Sequence, residues 1–109
     1  MVKVSVGDVV FVRFPFSDLS ASKKRPALVL ATLEHGDIIL CQITSRPYAD
    51  QQAIQITDTD FKQGNLLKIS YVRPGKLFTA NTSIIDRVAA KLTTTTHQSV
   101  VLQIIRIIS

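Results

Sequence analysis

The sequence predicts a mainly β protein: five or more short strands in a small, strongly bent sheet or partly closed barrel, finished by one C-terminal helix. Three observations carry this. Short runs rich in β-branched and aromatic residues recur between turn-forming residues: Val9 to Phe14, Pro26 to Leu33, Ile38 to Thr44, Gln52 to Thr57 and Lys68 to Arg73. The four glycines fall at turns between or beside these runs. Near the C-terminus the period changes, with Val100, Val101, Ile104, Ile105 and Ile108 sharing one face of a helix.

Taking the elements in order, Gly7-Asp8 is a turn and Val9 to Phe14 a strand. Pro15 stops regular pairing because it has no amide proton. Ser17-Asp18-Leu19-Ser20-Ala21-Ser22 has the composition of a surface loop, followed by three consecutive cations, Lys23, Lys24 and Arg25. Pro26 to Leu33 and Ile38 to Thr44 form a hairpin around Glu34-His35-Gly36-Asp37, where Gly36 can take a positive φ. Gln52 to Thr57 is the next strand, and Asp58 to Gly64 a turn-rich excursion. Lys68 to Arg73 is a strand closed by Pro74-Gly75. Ile84 to Leu92 holds a further strand, with a helical turn at Ala89-Ala90 as the alternative. Thr95-Thr96-His97-Gln98 reads as a capping box opening the helix. Leu102 and Ile107 add apolar area off the helix stripe, more than a surface helix needs, which points to burial by a second subunit.

Composition narrows the function classes. A chain of 109 residues is expected to be one domain spanning 1–109. With 46% hydrophobic and 19% charged residues it is globular rather than disordered. Thirteen Lys and Arg against eight Asp and Glu leave a net charge of +5, which favours an anionic partner, nucleic acid being the commonest. The single cysteine, Cys41, cannot form an internal disulfide, and within an apolar run it reads as a small buried hydrophobe. There is no signal-peptide pattern and no apolar run of membrane-spanning length, so the expectation is a cytoplasmic protein with no membrane partner.

Candidate chemistry is confined to a basic and hydroxyl-bearing set. His35 and His97 lie in a hairpin turn and a first helical turn, away from other ligand types, and no metal site or cofactor is expected. Glycine-rich phosphate loops and serine elbow motifs are absent. With the hairpin centred on Gly36, antiparallel register sets Arg25 opposite Ser45, one residue from Thr44. A guanidinium beside hydroxyls on a basic domain suits cleavage of RNA through its own 2′-OH. The substrate brings the nucleophile, and the protein holds the phosphate and neutralises its growing charge. Arg25 and Thr44 are the candidate catalytic residues, with Lys23, Lys24, Ser45 and Arg46 as candidate substrate-binding residues on one phosphate track. The plain alternative is a solvated loop cation and an ordinary strand threonine.

The ordered set Gly7-Asp8-Val9-Val10, Phe14-Pro15, Arg25-Pro26-Ala27-Leu28-Val29-Leu30 and Gln42-Ile43-Thr44-Ser45 resembles the signature of PemK/MazF toxin ribonucleases. Ser70-Tyr71-Val72-Arg73-Pro74 with Lys76-Leu77-Phe78 is similar to the family's later strand. The resemblance implies an SH3-like small barrel of the PemK/MazF/CcdB type with a C-terminal α-helix. It also implies a homodimer that cleaves single-stranded RNA without metal, with catalysis by Arg25 and Thr44. A cognate antitoxin protein would block it, and operator DNA would be reached only through the antitoxin complex.

Two stretches depart from the family pattern. Ser22-Lys23-Lys24 stands where many relatives carry Glu or His, and Ser70-Tyr71-Val72 where some carry Arg-x-Asp. Asp18, the one carboxylate of the first loop, is then the candidate acceptor for the 2′-OH proton. Two other classes remain open. One is a non-enzymatic gyrase-poisoning toxin of the same fold, which would not require the Arg25/Thr44 pair. The other is a non-catalytic RNA-binding barrel, for which the chain is short of aromatics, having no Trp and only Tyr48 and Tyr71 as tyrosines.

Overall fold

The computed structural model describes residues 3–14 and 23–109. Seven antiparallel strands form one sheet: β1 (Asp8–Phe14), β2 (Lys23–Thr32), β3 (Asp37–Thr44), β4 (Ile54–Ile56), β5 (Phe61–Gly64), β6 (Ser70–Asn81) and β7 (Ile85–Leu92). Their spatial order is β4-β6-β3-β2-β1-β7-β5, and α1 (Thr94–Ile108) closes the chain. Principal extents of 32 × 31 × 30 Å show that the sheet curls rather than lying flat.

The central strands lack apolar–polar alternation because both of their faces are buried. Val9, Leu28, Cys41, Ile43, Ile56 and Val72 form one cluster with Val100 and Ile104 of the helix. Val10, Val12, Ala27, Val29, Leu40 and Ile85 form the other. Neighbours in sequence, such as Val9 and Val10 or Leu40 and Cys41, therefore enter different cores. The helix covers the first cluster with Val100 and Ile104 and also buries Thr96 in its first turn. Leu102, Ile105, Ile107 and Ile108 remain exposed.

Several elements differ from their expected bounds, each for a tertiary reason. β2 starts at Lys23 and runs through Pro26. Pro26 is tolerated because β2 is paired there only on its β1 side, the ladder with β3 beginning at Ala27. The strand expected to end at Arg73 continues to Asn81. Pro74 and Gly75 sit in a bulge, where residues 73–76 of β6 span a single residue of β3, Gln42, so no ladder amide is lost. Within the excursion after Thr57, a 3₁₀ turn at Asp58–Asp60 leads into β5, which pairs with β7. Phe61 is the one apolar residue of β5, too little for a period-two pattern.

The helix cap is Thr93, not Thr95: its hydroxyl accepts the Thr96 amide at 3.2 Å. Asp60 selects it, because the Asp60 carbonyl accepts the Thr93 amide at 2.8 Å and its carboxylate the Thr96 hydroxyl at 2.7 Å. The same carboxylate accepts the Thr57 amide at 2.8 Å, so one aspartate ties the turn before β5 to the helix start. At Ile85–Leu92 the structure forms a strand, not a helical turn.

Gly64 is the glycine the fold most needs. Its φ is +70°, and a Cβ there would meet the Ala89 carbonyl oxygen and lie 2.9 Å from Ala90 Cα, backbone that cannot swing aside. Gly64→Ala should destabilise the protein by about 1–3 kcal/mol. Gly75→Ala, with no positive φ and nothing within 4 Å of the added carbon, should leave the thermal midpoint nearly unchanged. Paired thermal melts check both.

Candidate functional site

The site arises where β2 and β3 part. Their ladder runs from Thr32–Ile38 to Ala27–Gln42 and then stops. Beyond it β2 stays with β1, through Pro26, Arg25 and Lys24, while β3 stays with β6, through Ile43 and Thr44. The splayed strands leave a cavity of about 260 Å³ lined by Arg25, Thr44, Ser45, Lys68 and Ser70, with Phe11 among its apolar walls. The observed register differs by one from that expected across the Gly36 turn, since Ala27 faces Gln42 and extension would bring Arg25 to Thr44. The two strands are no longer bonded to each other there.

Alternation fixes which side chains share a face. Arg25 lies two residues from Ala27, Ala27 pairs with Gln42, and Thr44 pairs with Tyr71. Arg25, Gln42, Thr44 and Tyr71 therefore leave the sheet on one side. Arg25 is half-buried on a paired strand, which limits the swing of its guanidinium. Thr44 is held by a local turn: its hydroxyl accepts the Arg46 amide at 3.1 Å and lies 3.3 Å from the Arg46 carbonyl.

The remaining sequence-derived candidates separate. Ser45 is exposed on the cavity wall, and Arg46 is exposed just beyond it. Lys24 is not brought to the cavity. As the neighbour of Arg25 it points to the opposite face, where its ammonium lies 3.3 Å from Asp86 of β7. Arg13 joins the same carboxylate at 3.4 Å, and the Asp86 carboxyl is held below its ordinary value by Lys24 first and then Arg13. The backbone of Lys23 begins β2, its side chain being outside the description, and Asp18 lies outside the described residues.

Sequence reasoning missed Lys68 and Ser70. Lys68 comes from the segment before β6 and Ser70 is the first residue of β6; together they bring a second cation to the cavity that Arg25 lines, and the Ser70 hydroxyl donates to the Lys68 carbonyl at 3.1 Å. No motif or spacing announces that placement. Only the β3–β6 pairing brings it about.

A second polar group stands on the same face. Arg73 of β6 donates through Nε to Asp50 at 2.7 Å and through Nη1 to Gln42 at 3.3 Å. The Asp50 carboxyl is held below the ordinary carboxylate value, chiefly by that hydrogen bond from Arg73. Among the described residues no cluster of three His, Cys, Asp or Glu is arranged to hold a metal ion. Nor is any helix of the described residues long and apolar enough to cross a membrane.

Against known proteins, residues 5–108 match the model of the PemK-like, MazF-like toxins of type II toxin–antitoxin systems. The chain belongs to this family. No curated protein matches it in sequence. Solved structures share the toxin fold at low identity. One is the Mycobacterium tuberculosis toxin MazF-mt6, at 14% identity and a TM-score of 0.68, with 89% of this chain and 91% of that one covered. Another is an endoribonuclease in complex with its cognate antitoxin from a mycobacterial species, at 12% identity and a TM-score of 0.71, covering 92% and 89%. A third is an endoribonuclease from a mycobacterial species, at 14% and 0.68, covering 93% and 86%. The curled antiparallel sheet with a single C-terminal helix is thus the PemK/MazF arrangement.

Cys41 belongs to the core of this toxin fold and is not among the described residues lining the cavity. It is fully buried, its thiol donates to the Arg73 carbonyl at 2.9 Å, and burial pushes its pKa up to about 12. A thiol reagent at pH 8 should therefore modify the native protein no faster than it unfolds, and modify the urea-unfolded chain at once. Timed mass spectrometry of the adduct distinguishes the two.

Proposed function

We propose that this PemK/MazF-family toxin is a metal-independent endoribonuclease that cleaves single-stranded mRNA at particular sequences, acting as one domain over 1–109. The observation that carries the reading is the cavity between the splayed ends of β2 and β3, where Arg25, Thr44 and Lys68 converge. The family membership and the titles of similar structures, two of which are endoribonucleases, support it.

In this mechanism the scissile phosphate sits in the cavity with its non-bridging oxygens toward Arg25. The substrate 2′-OH attacks phosphorus, the P–O2′ bond forms, the P–O5′ bond breaks, and a 2′,3′-cyclic phosphate results. The planar guanidinium of Arg25 donates two parallel hydrogen bonds to the oxygens on which charge accumulates. Thr44 adds a neutral hydrogen bond, and Lys68 supplies long-range attraction. Ser45 and Arg46 hold the flanking backbone. Among the described residues, none lining the cavity is a carboxylate or histidine. Asp18, which precedes β2 in the sequence, is the candidate that accepts the 2′-OH proton, and the leaving 5′-oxygen takes up a proton from water.

A cognate antitoxin is the proposed protein partner, as in the antitoxin complex among the similar structures, with operator DNA contacted through that complex. The active form is a homodimer: Leu102, Ile105 and Ile108 are exposed on α1, and leaving apolar area in water is unfavourable by about 25 cal/mol per Å². Light scattering at micromolar concentration should give twice the chain mass of 12.0 kDa. A stable monomer would count against the dimer.

Purified protein should cleave single-stranded RNA equally well with and without EDTA. Arg25→Ala should lower turnover by roughly 10² or more, as loss of a preorganised oxyanion donor does. Arg25→Lys should recover little, because a point charge cannot reproduce the fork. Thr44→Ala should cost less, the neutral bond being worth about 0.5–1.5 kcal/mol. A folded Arg25→Ala protein cleaving at the wild-type rate would sink the assignment.

A further inference from the structure

Tyr48 stands out once the cavity between β2 and β3 is accounted for. The residue is 88% exposed, although a tyrosine ordinarily buries much of its ring. Its backbone has a φ of 53°, the left-handed region that costs a non-glycine residue about 1 kcal/mol. Such a conformation persists only where the surroundings over-determine it. Here they do. The Asp50 amide donates to the Pro47 carbonyl at 3.0 Å and the Gln52 amide to the Asp50 carboxylate at 2.9 Å. Arg73 clamps that carboxylate at 2.7 Å. The turn is bonded on both sides of Tyr48, yet the ring it presents is not used for packing.

The surroundings of the ring indicate what it meets. Tyr48, Arg73, Gly75 and Lys76 line one open cavity of about 610 Å³. Gly75 presents no side chain and Lys76 is exposed on the rim. This cavity continues the candidate site along the chain: Thr44 and Ser45 line the first, and Pro47 to Gln51 line the second. It also continues it across the sheet, since Arg73 reaches Gln42 on the face that carries Arg25 and Thr44. A rigid ring beside an ammonium, next to a phosphate-sized site on a basic chain, has the chemistry of a single-strand platform. The base stacks on the ring while the cation meets a neighbouring phosphate.

We propose that Tyr48 is the stacking platform for an unpaired nucleobase flanking the cleaved phosphate, with Lys76 on the adjoining phosphate. The proposal rests on the endoribonuclease reading for its substrate class and adds the residue that grips the flanking base. The locked turn lowers the ordering cost of binding, because the ring is already displayed when the strand arrives.

The test uses 2′-O-methyl RNA oligonucleotides of mixed sequence, which have no free 2′-OH and cannot be cut. Tyr48→Ala should weaken binding roughly ten-fold, and Tyr48→Phe should bind within about two-fold of wild type. Tyr48→Trp installs the only tryptophan of the chain, and its emission should be quenched as the oligonucleotide binds. On an abasic oligonucleotide of equal length, wild type and Tyr48→Ala should bind alike. Wild type that cleaves RNA, together with a folded Tyr48→Ala that binds the 2′-O-methyl strand as wild type does, overturns the platform alone. Binding that depends on Tyr48 in a protein that never cleaves supports the platform and overturns the nuclease reading. Unchanged oligonucleotide affinity with weakened antitoxin binding also overturns the proposal, and assigns the ring to the protein partner.

Discussion

The structure depends on β3 being bonded along both edges and buried on both faces. Its Leu40 and Cys41 point into opposite cores, β2 lies along one edge and β6 along the other. A strand held in four directions has one register and little freedom to shift. The site inherits that rigidity. Gln42 and Thr44 lie within the last three residues of β3, and their directions are set by the same alternation that buries Cys41 and Ile43. The cavity opens because β2 leaves β3 at Ala27 while β6 stays with it. Preorganisation of this kind would serve the proposed cleavage of RNA, since donors held in place need not reorganise during a reaction.

Charge is distributed to the same end. A net charge of +5 attracts nucleic acid in general, yet the cations are not equivalent. Arg13 and Lys24 share Asp86 on one face, and Lys91 lies 3.3 Å from Asp8. Arg73 is committed to Asp50 and Gln42, where it braces a turn. Arg25 and Lys68 line the cavity between the splayed strands. Asp86, Asp50 and Asp8 thus hold four of the described cations, Arg13, Lys24, Arg73 and Lys91, in ion pairs away from the cavity lining.

The left-handed backbone positions follow a related logic. His35 and Gly36 make the β2–β3 turn and are tied to β6 by Asn81, whose amide donates to the His35 carbonyl at 3.1 Å. Tyr48 and Leu67 take up the same conformation on the segments leading out of β3 and into β6, and Leu67 is 92% exposed. The first serves the fold. The other two display side chains that the fold itself does not bury.

By itself the sequence determined the β class, the first three strands, the hairpin turn at Gly36 and the helix, because each rests on local pattern: apolar runs, a positive-φ glycine, a helical stripe. It also nominated Arg25, Thr44 and Ser45 as neighbours, since a hairpin turn fixes register to within a residue. It could not show that β2 and β3 separate at those residues, because separation depends on β1 and β6 competing for the two strands. The same limit hid β5, whose four residues carry one apolar side chain, and the passage of β6 through Pro74, which only a bulge permits. It hid the turn of Lys24 toward Asp86 and the arrival of Lys68 at the cavity. Those placements join residues far apart in the chain, and packing across the curled sheet settles them.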